Sequence, residues 1–116
     1  GLQKLISFEI NPRFCDVLHQ IEDKRLQVIH DYAENFPEYV QEPRYVVSIL
    51  PIAIFTKTQK RKILETVKEN LAPDGTFMQF QYILRDYRTI KSLFRNVEIS
   101  FMPWNIPPGF IYTCTN

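Results

Sequence analysis

The residues with the chemistry to act on a ligand stand at or just past the ends of short apolar runs. Glu9 and Ile10 close the run Leu5–Ile10. Asp31, Tyr32 and Ala33 follow Leu26–His30. Ser48 and Leu50 end Tyr45–Leu50, with Pro51 next, and Gln79, Gln81 and Tyr82 end Gly75–Tyr82. A carboxylate at a strand end can accept hydrogen bonds from both hydroxyls of a ribose; it can equally be a surface acid or cap a following helix. Gln and Tyr within an apolar strand need partners if buried, so they either line a pocket or alternate toward solvent. Other chemistries lack their parts. His19 and His30 have no metal-ligand spacing with Cys15 and Cys114, and no nucleophile elbow, Walker loop or zinc signature occurs. Three glycines, Gly1, Gly75 and Gly109, cannot build a glycine-rich phosphate cradle within these residues.

The elements that must carry these groups follow from periodicity. Leu5–Ile10 and Leu26–His30 read as strands. Asn11 offers an N-cap and Pro12 a first helical position, with Phe14, Val17, Leu18 and Ile21 on one inward face. Asp31–Pro43 reads as a loop with a helical turn. Tyr45–Leu50 is continuously apolar, the pattern of a parallel strand buried on both faces. Thr58–Leu71 is a helix with Ile63, Leu64, Val67 and Leu71 inward. Pro73-Asp74-Gly75 turns the chain, Gly75 offering a positive φ. Gly75–Tyr82 is a strand, and Asp86 can cap a helix to about Arg95. Val97–Met102 and Phe110–Thr115 are final strands joined by the proline-rich Trp104–Gly109 connector. The alternation predicts an α/β fold with a mostly parallel sheet and one antiparallel edge strand.

Composition narrows the class. Net charge is +1, without the basic excess of a nucleic-acid binder, and 45% of residues are hydrophobic, normal for a packed core. Nine Phe, six Tyr and one Trp can bury substantial area. The longest apolar run, Tyr45–Phe55, is broken by Ser48 and Pro51 and falls short of a membrane span. No cationic leader precedes an apolar stretch, and the two cysteines read as buried, reduced thiols, so the expectation is a cytoplasmic protein. Lys57, Lys60, Arg61 and Lys62 at a helix start oppose the helix dipole. They are either a solvated face or a contact for anionic lipid headgroups at a membrane surface. Phe101, Trp104 and Phe110 read as edge packing or as an interface contact.

Several stretches together carry a family likeness: FEINPRF around Glu9, His-Asp-Tyr-Ala at 30–33, Ser-Ile-Leu-Pro at 48–51, Gln-Phe-Gln-Tyr at 79–82, and Asn-Ile-Pro-Pro-Gly-Phe-Ile-Tyr at 105–112. From about Leu5 to Tyr112 the chain resembles the C-terminal part of a class I S-adenosylmethionine-dependent methyltransferase, most closely the bacterial phospholipid N-methyltransferases. The resemblance implies an incomplete Rossmann-like sheet lacking the first strand and helix, and residues 1–116 as one partial domain. It implies S-adenosylmethionine as cofactor, with Glu9 and Ile10 at the ribose and Asp31, Tyr32 and Ala33 at the adenine. The family usually reads His-Gly-Asp-Ala at this turn, so Tyr32 stands where its Asp is expected. Ser48, Leu50 and Pro51 would orient the acceptor amine, and Gln79 and Tyr82 would line the substrate pocket. The implied acceptor is an aminophospholipid headgroup.

Two other readings stand beside it. One is the same chemistry on ribosomal RNA or another small substrate, against which the near-neutral charge speaks. The other is a non-catalytic remnant serving as a binding or dimerisation module. The family's glycine-rich loop is not among these residues, so little activity is expected of the chain alone. Its missing central strand would lie between Leu5–Ile10 and Tyr45–Leu50. Either those two strands pair directly, a second copy covers the gap as a homodimer, or an N-terminal segment completes the sheet.

Overall fold

The computed structural model describes residues 4–82, 84–104 and 108–116. Residues 105–107, within the Trp104–Gly109 connector and at the start of the last quoted stretch, lie outside them. The chain divides into two compact units, Gly1–Tyr39 and Val40–Asn116.

In the first unit, β1 (Leu5–Phe8) leads to helix α1 (Pro12–His19), β2 (Leu26–Ile29) and a 3-10 helix, Ala33–Glu38. The strands pair in parallel from Leu5↔Leu26 to Phe8↔Ile29. The Asn11 side chain accepts the Arg13 N–H and Pro12 opens α1, as the sequence predicts. The face of α1 differs from expectation. Cys15 is its buried residue, whereas Phe14 and Val17 are each 58% exposed and Ile21, just past it, is also exposed. Within this unit a two-stranded sheet is too narrow to cover a whole helix face.

The second unit holds β3 (Tyr45–Ser48), a short 3-10 turn (Ile52–Ile54), helix α2 (Lys57–Asn70), β4 (Thr76–Gln81), helix α3 (Tyr87–Leu93), β5 (Asn96–Met102) and β6 (Gly109–Thr115). Thr56 and Gln59 form a reciprocal capping box that starts α2. The sheet order is β3-β4-β6-β5, with β3 parallel to β4 and β6 antiparallel to both its neighbours. The antiparallel strand thus lies one place in from the edge. The burial of Tyr112 and Cys114 on one face and of Gly109 on the other suits the inner position of β6, while the mostly exposed β5 takes the edge.

The core of this unit lies on one sheet face. Phe77, Gln79 and Gln81 of β4 stand in register with Cys114, Tyr112 and Phe110 of β6. Leu64 and Val67 of α2 and Ile90 of α3 are buried with them, and Phe94 stacks on Phe77 at 5.5 Å. Each such buried side chain contributes about 1.5–3 kcal/mol. The other face is thinly covered. Tyr45 and Val47 of β3 are both 71% exposed, so β3 is not the doubly buried strand its composition suggests.

Gly75 does not take a positive φ. A Cβ there would lie 2.7 Å from the Leu71 side chain and 2.9 Å from the Ala72 carbonyl oxygen, so glycine is required for close packing. Among the described residues of its own unit, β1 pairs with β2 and β3 pairs with β4.

Candidate functional site

The first unit gathers two acids at the C-terminal ends of its parallel strands. Glu9 follows β1 and is half-buried. Its backbone is fixed three times over: its N–H donates to the Ile29 carbonyl at 3.1 Å, its carbonyl accepts the Cys15 thiol at 3.4 Å, and the next carbonyl, Ile10, accepts from His30 Nε2–H at 2.9 Å. The Glu9 carboxylate accepts the Asn11 N–H through Oε1 at 3.0 Å. Its other oxygen takes no protein hydrogen bond among the described residues, so the group caps the helix entry and keeps acceptor capacity. Ile10 and Tyr32 present exposed apolar surface.

Asp31 is committed to its own loop. Oδ1 accepts the Tyr32 N–H at 2.6 Å and Asn35 Nδ2 at 2.9 Å, while Oδ2 accepts the Tyr39 hydroxyl at 2.7 Å. These bonds, Tyr39 first, hold its carboxyl below the usual carboxylate range, and the same contact raises Tyr39. Asp31 therefore organises the 3-10 helix. Ala33, the first residue of that helix, has an N–H without an intrahelical acceptor.

In the second unit the polar residues at the ends of β3 and β4 are bonded across elements. Ser48 and Gln79 are paired in register. Ser48 Oγ accepts the Leu50 N–H at 3.2 Å. The Leu50 carbonyl accepts both Gln79 Nε2 and the Ile52 N–H at 2.8 Å, and the Pro51 carbonyl accepts the Ile54 N–H. Leu50 and Pro51 thus spend their carbonyls on the turn, and Gln79, 1% exposed, locks that turn to β4. Tyr82 is more than half exposed.

A buried network lies beside this end and was not foreseen from the sequence. Lys60 Nζ donates to Asp86 Oδ1 at 2.6 Å, and Gln81 Nε2 donates to Asp86 Oδ2 at 2.9 Å. Asp86 occupies the N-cap position of α3 but makes no capping bond, because its carboxylate is turned to Lys60 and Gln81. Lys60 is accordingly not part of a solvated or lipid-facing basic run, and Arg61 pairs with Glu65 on its own helix. The spacing of Lys60 to Leu64 and Val67 places it on the apolar face of α2, a signal already present in the sequence. Tyr112, opposite Gln79, is fully buried. Burial, then the Asp86 carboxylate, pushes its hydroxyl up to about 12, and burial pushes the Cys114 thiol to about 12. Both cysteines are buried free thiols. Among the described residues there is no metal-binding cluster, and no helix is long and apolar enough to cross a membrane.

Comparison with solved structures places this architecture. The chain matches a precorrin-6y C5,15-methyltransferase from Geobacter metallireducens with a TM-score of 0.72 at 14% identity, over 96% of this chain and 66% of the other. It matches human methyltransferase-like protein 13, solved with S-adenosylhomocysteine, with a TM-score of 0.67 at 17% identity, over 97% and 60%. The chain has a class I methyltransferase fold. In sequence, the chain is 37% identical over 76 residues to an ornithine lipid N-methyltransferase from Singulisphaera acidiphila. The match takes in 65% of this chain, and the chain spans 40% of that relative's length. No family model matches.

Proposed function

We propose that these residues are the C-terminal part of an S-adenosylmethionine-dependent N-methyltransferase acting on the amine of a lipid headgroup. The observation that carries this reading is the 37% identity to a lipid N-methyltransferase on a chain with the matching fold. The cofactor supplies an electrophilic methyl group: an amine nitrogen forms the new N–C bond, the sulfonium S–C bond breaks, S-adenosylhomocysteine leaves and the nitrogen sheds a proton to water.

The chain's own groups divide the work. Glu9 holds the ribose hydroxyls with the carboxylate oxygen that Asn11 leaves open. The Ala33 N–H and the exposed apolar surface of Ile10 and Tyr32 take the adenine, while Asp31 shapes that loop. Ser48 Oγ accepts from the acceptor amine and aims its lone pair. Gln79 keeps the Leu50–Pro51 turn at the height this requires. Glycine-rich wrapping of the methionine part is not supplied by these residues, so turnover by the chain alone is expected to be slight. A preceding strand, or a second copy of the chain, would complete the sheet.

The test is transfer of labelled methyl from S-adenosylmethionine to phosphatidylethanolamine or ornithine lipid in mixed micelles. It compares this chain with the same residues extended by the first strand and glycine loop of the lipid methyltransferase relative. Labelled lipid from the extended protein, reduced at least tenfold in Glu9→Ala, is the expected result. An extended protein that binds cofactor yet labels neither lipid contradicts the reading.

A further inference from the structure

A histidine side chain bridges the ends of β1 and β2. The last backbone rung between these strands is the Glu9 N–H on the Ile29 carbonyl, at 3.1 Å. Beyond it the strands part. One continues through Ile10 and Asn11 into α1, the other through His30 and Asp31 toward the 3-10 helix. The Ile29 carbonyl takes a second donor, the Asp31 N–H at 3.0 Å, and among the described residues no further backbone bond joins the two ends.

The His30 ring supplies the next rung. Its Nε2–H donates to the Ile10 carbonyl at 2.9 Å, across 20 positions of sequence. A carbonyl only accepts, so the ring carries a proton on Nε2. His30 and Ile10 are both exposed, so packing in a core does not account for the contact. The Ile10 carbonyl and the Asn11 N–H belong to one planar peptide group. That N–H is the donor to Glu9 Oε1 at 3.0 Å. His30 therefore holds one end of a rigid plate whose other end holds the Glu9 carboxylate. The Glu9 carbonyl is anchored separately, by the Cys15 thiol at 3.4 Å. Loss of His30 frees the plate to turn and leaves Glu9 tied to α1.

We infer that His30 is a positioning residue for a ligand's ribose: through the Ile10–Asn11 peptide it sets the direction of the Glu9 carboxylate and keeps it beside the Asp31–Ala33 loop. The ligand chemistry is the vicinal diol of a purine nucleoside. The inference rests on the cofactor reading of the β1 end for its purpose. It rests on the shared peptide plane for its existence.

Two NMR measurements on this chain test it. The first follows hydrogen exchange of the Asn11 amide without ligand, in the parent, His30→Ala, His30→Gln and His30→Asn. A glutamine amide nitrogen has nearly the reach of Nε2; an asparagine nitrogen sits where Nδ1 does and falls short. The second titrates each protein, and Glu9→Ala, with adenosine and with dideoxyadenosine, which lacks both ribose hydroxyls. Exchange at Asn11 is expected to quicken roughly fivefold in His30→Ala and His30→Asn and to stay near the parent rate in His30→Gln. Adenosine affinity should fall by a similar factor in the same two variants, with dideoxyadenosine affinity unchanged.

Unchanged Asn11 exchange in His30→Ala overturns the inference. So does an equal loss for both nucleosides, which would make His30 a fold residue or a base contact, or a His30→Gln protein no better than His30→Ala. If Asn11 responds to His30 while adenosine ignores Glu9→Ala, or does not bind the parent, the peptide lock is upheld and the cofactor reading of the β1 end fails. Adenosine binding lost in Glu9→Ala but untouched in His30→Ala does the reverse.

Discussion

Both units place polar groups at strand ends, but they hold them by different means. Around Asp31 and Glu9 in the first unit the carboxylates stay accessible and take bonds from residues at most eight positions away. In the second, Gln79 reaches Leu50 and Lys60 reaches Asp86 across 29 and 26 positions, under nearly full burial. The first arrangement spends both Asp31 oxygens on its own loop and leaves one Glu9 carboxylate oxygen without a protein partner among the described residues. The second ties β3, β4 and the helices beside them together at the C-terminal ends of these strands. The unit with the accessible carboxylates also has little core of its own among the described residues, Cys15 and Phe36, while the large fully buried side chains all belong to the other.

The sharpest way to break this contrast is Asp86→Ala. It strands a buried ammonium and leaves Gln81 without its acceptor, and should cost about 3–5 kcal/mol in urea unfolding. A loss below about 1 kcal/mol would mean the network is not a tie. Next is a matched pair of truncations. Leu64→Ala should cost about 2–5 kcal/mol, whereas Phe14→Ala should stay within about 0.5 kcal/mol. Equal losses would erase the distinction between the units.

Alkaline titration probes the second unit's interior. Tyr112 and Cys114 are held protonated to about 12 when folded, against ordinary values of 10.0 and 9.0. In that window the unfolded chain binds fewer protons, so stability should fall as pH rises from about 9 toward 12. Tyr112→Phe should delay the fall, measured as the urea midpoint against pH. The smallest effect concerns Asp31. Its carboxyl is lowered, so its contribution is present above the ordinary carboxylate range and fades as pH drops through the lowered value. In Tyr39→Phe that carboxyl should titrate at higher pH by NMR, with little change in stability.

Local signals made most of the fold legible before any coordinates. Asn11-Pro12 marks the start of α1 through a local cap and a first-turn proline, and the alternating and continuous apolar runs mark every strand to within two residues. What stayed hidden depended on partners distant in sequence. The exposure of Tyr45 and Val47 reflects which sheet face the helices chose, and composition does not record that. Asp86 read as a cap because its local context offers an N-cap; only the fold brings Lys60 and Gln81 to its carboxylate. Gly75 looked like a conformational glycine, but the approach of Leu71 decides its place. For the candidate site, Glu9 and Ser48 stand at strand ends as the pattern implied. Asp31 is diverted by Asn35 and Tyr39, four and eight residues on, whose side chains a motif comparison does not weigh.

The most direct test of the account is calorimetric titration of this chain with S-adenosylmethionine, beside Glu9→Ala and Asp31→Ala. Saturable binding, weakened at least tenfold in Glu9→Ala, with the Asp31→Ala loss accompanied by loosening of residues 31–39, is the predicted result. Binding of equal strength in the parent chain and Glu9→Ala would contradict the assignment of the β1 end as the cofactor site.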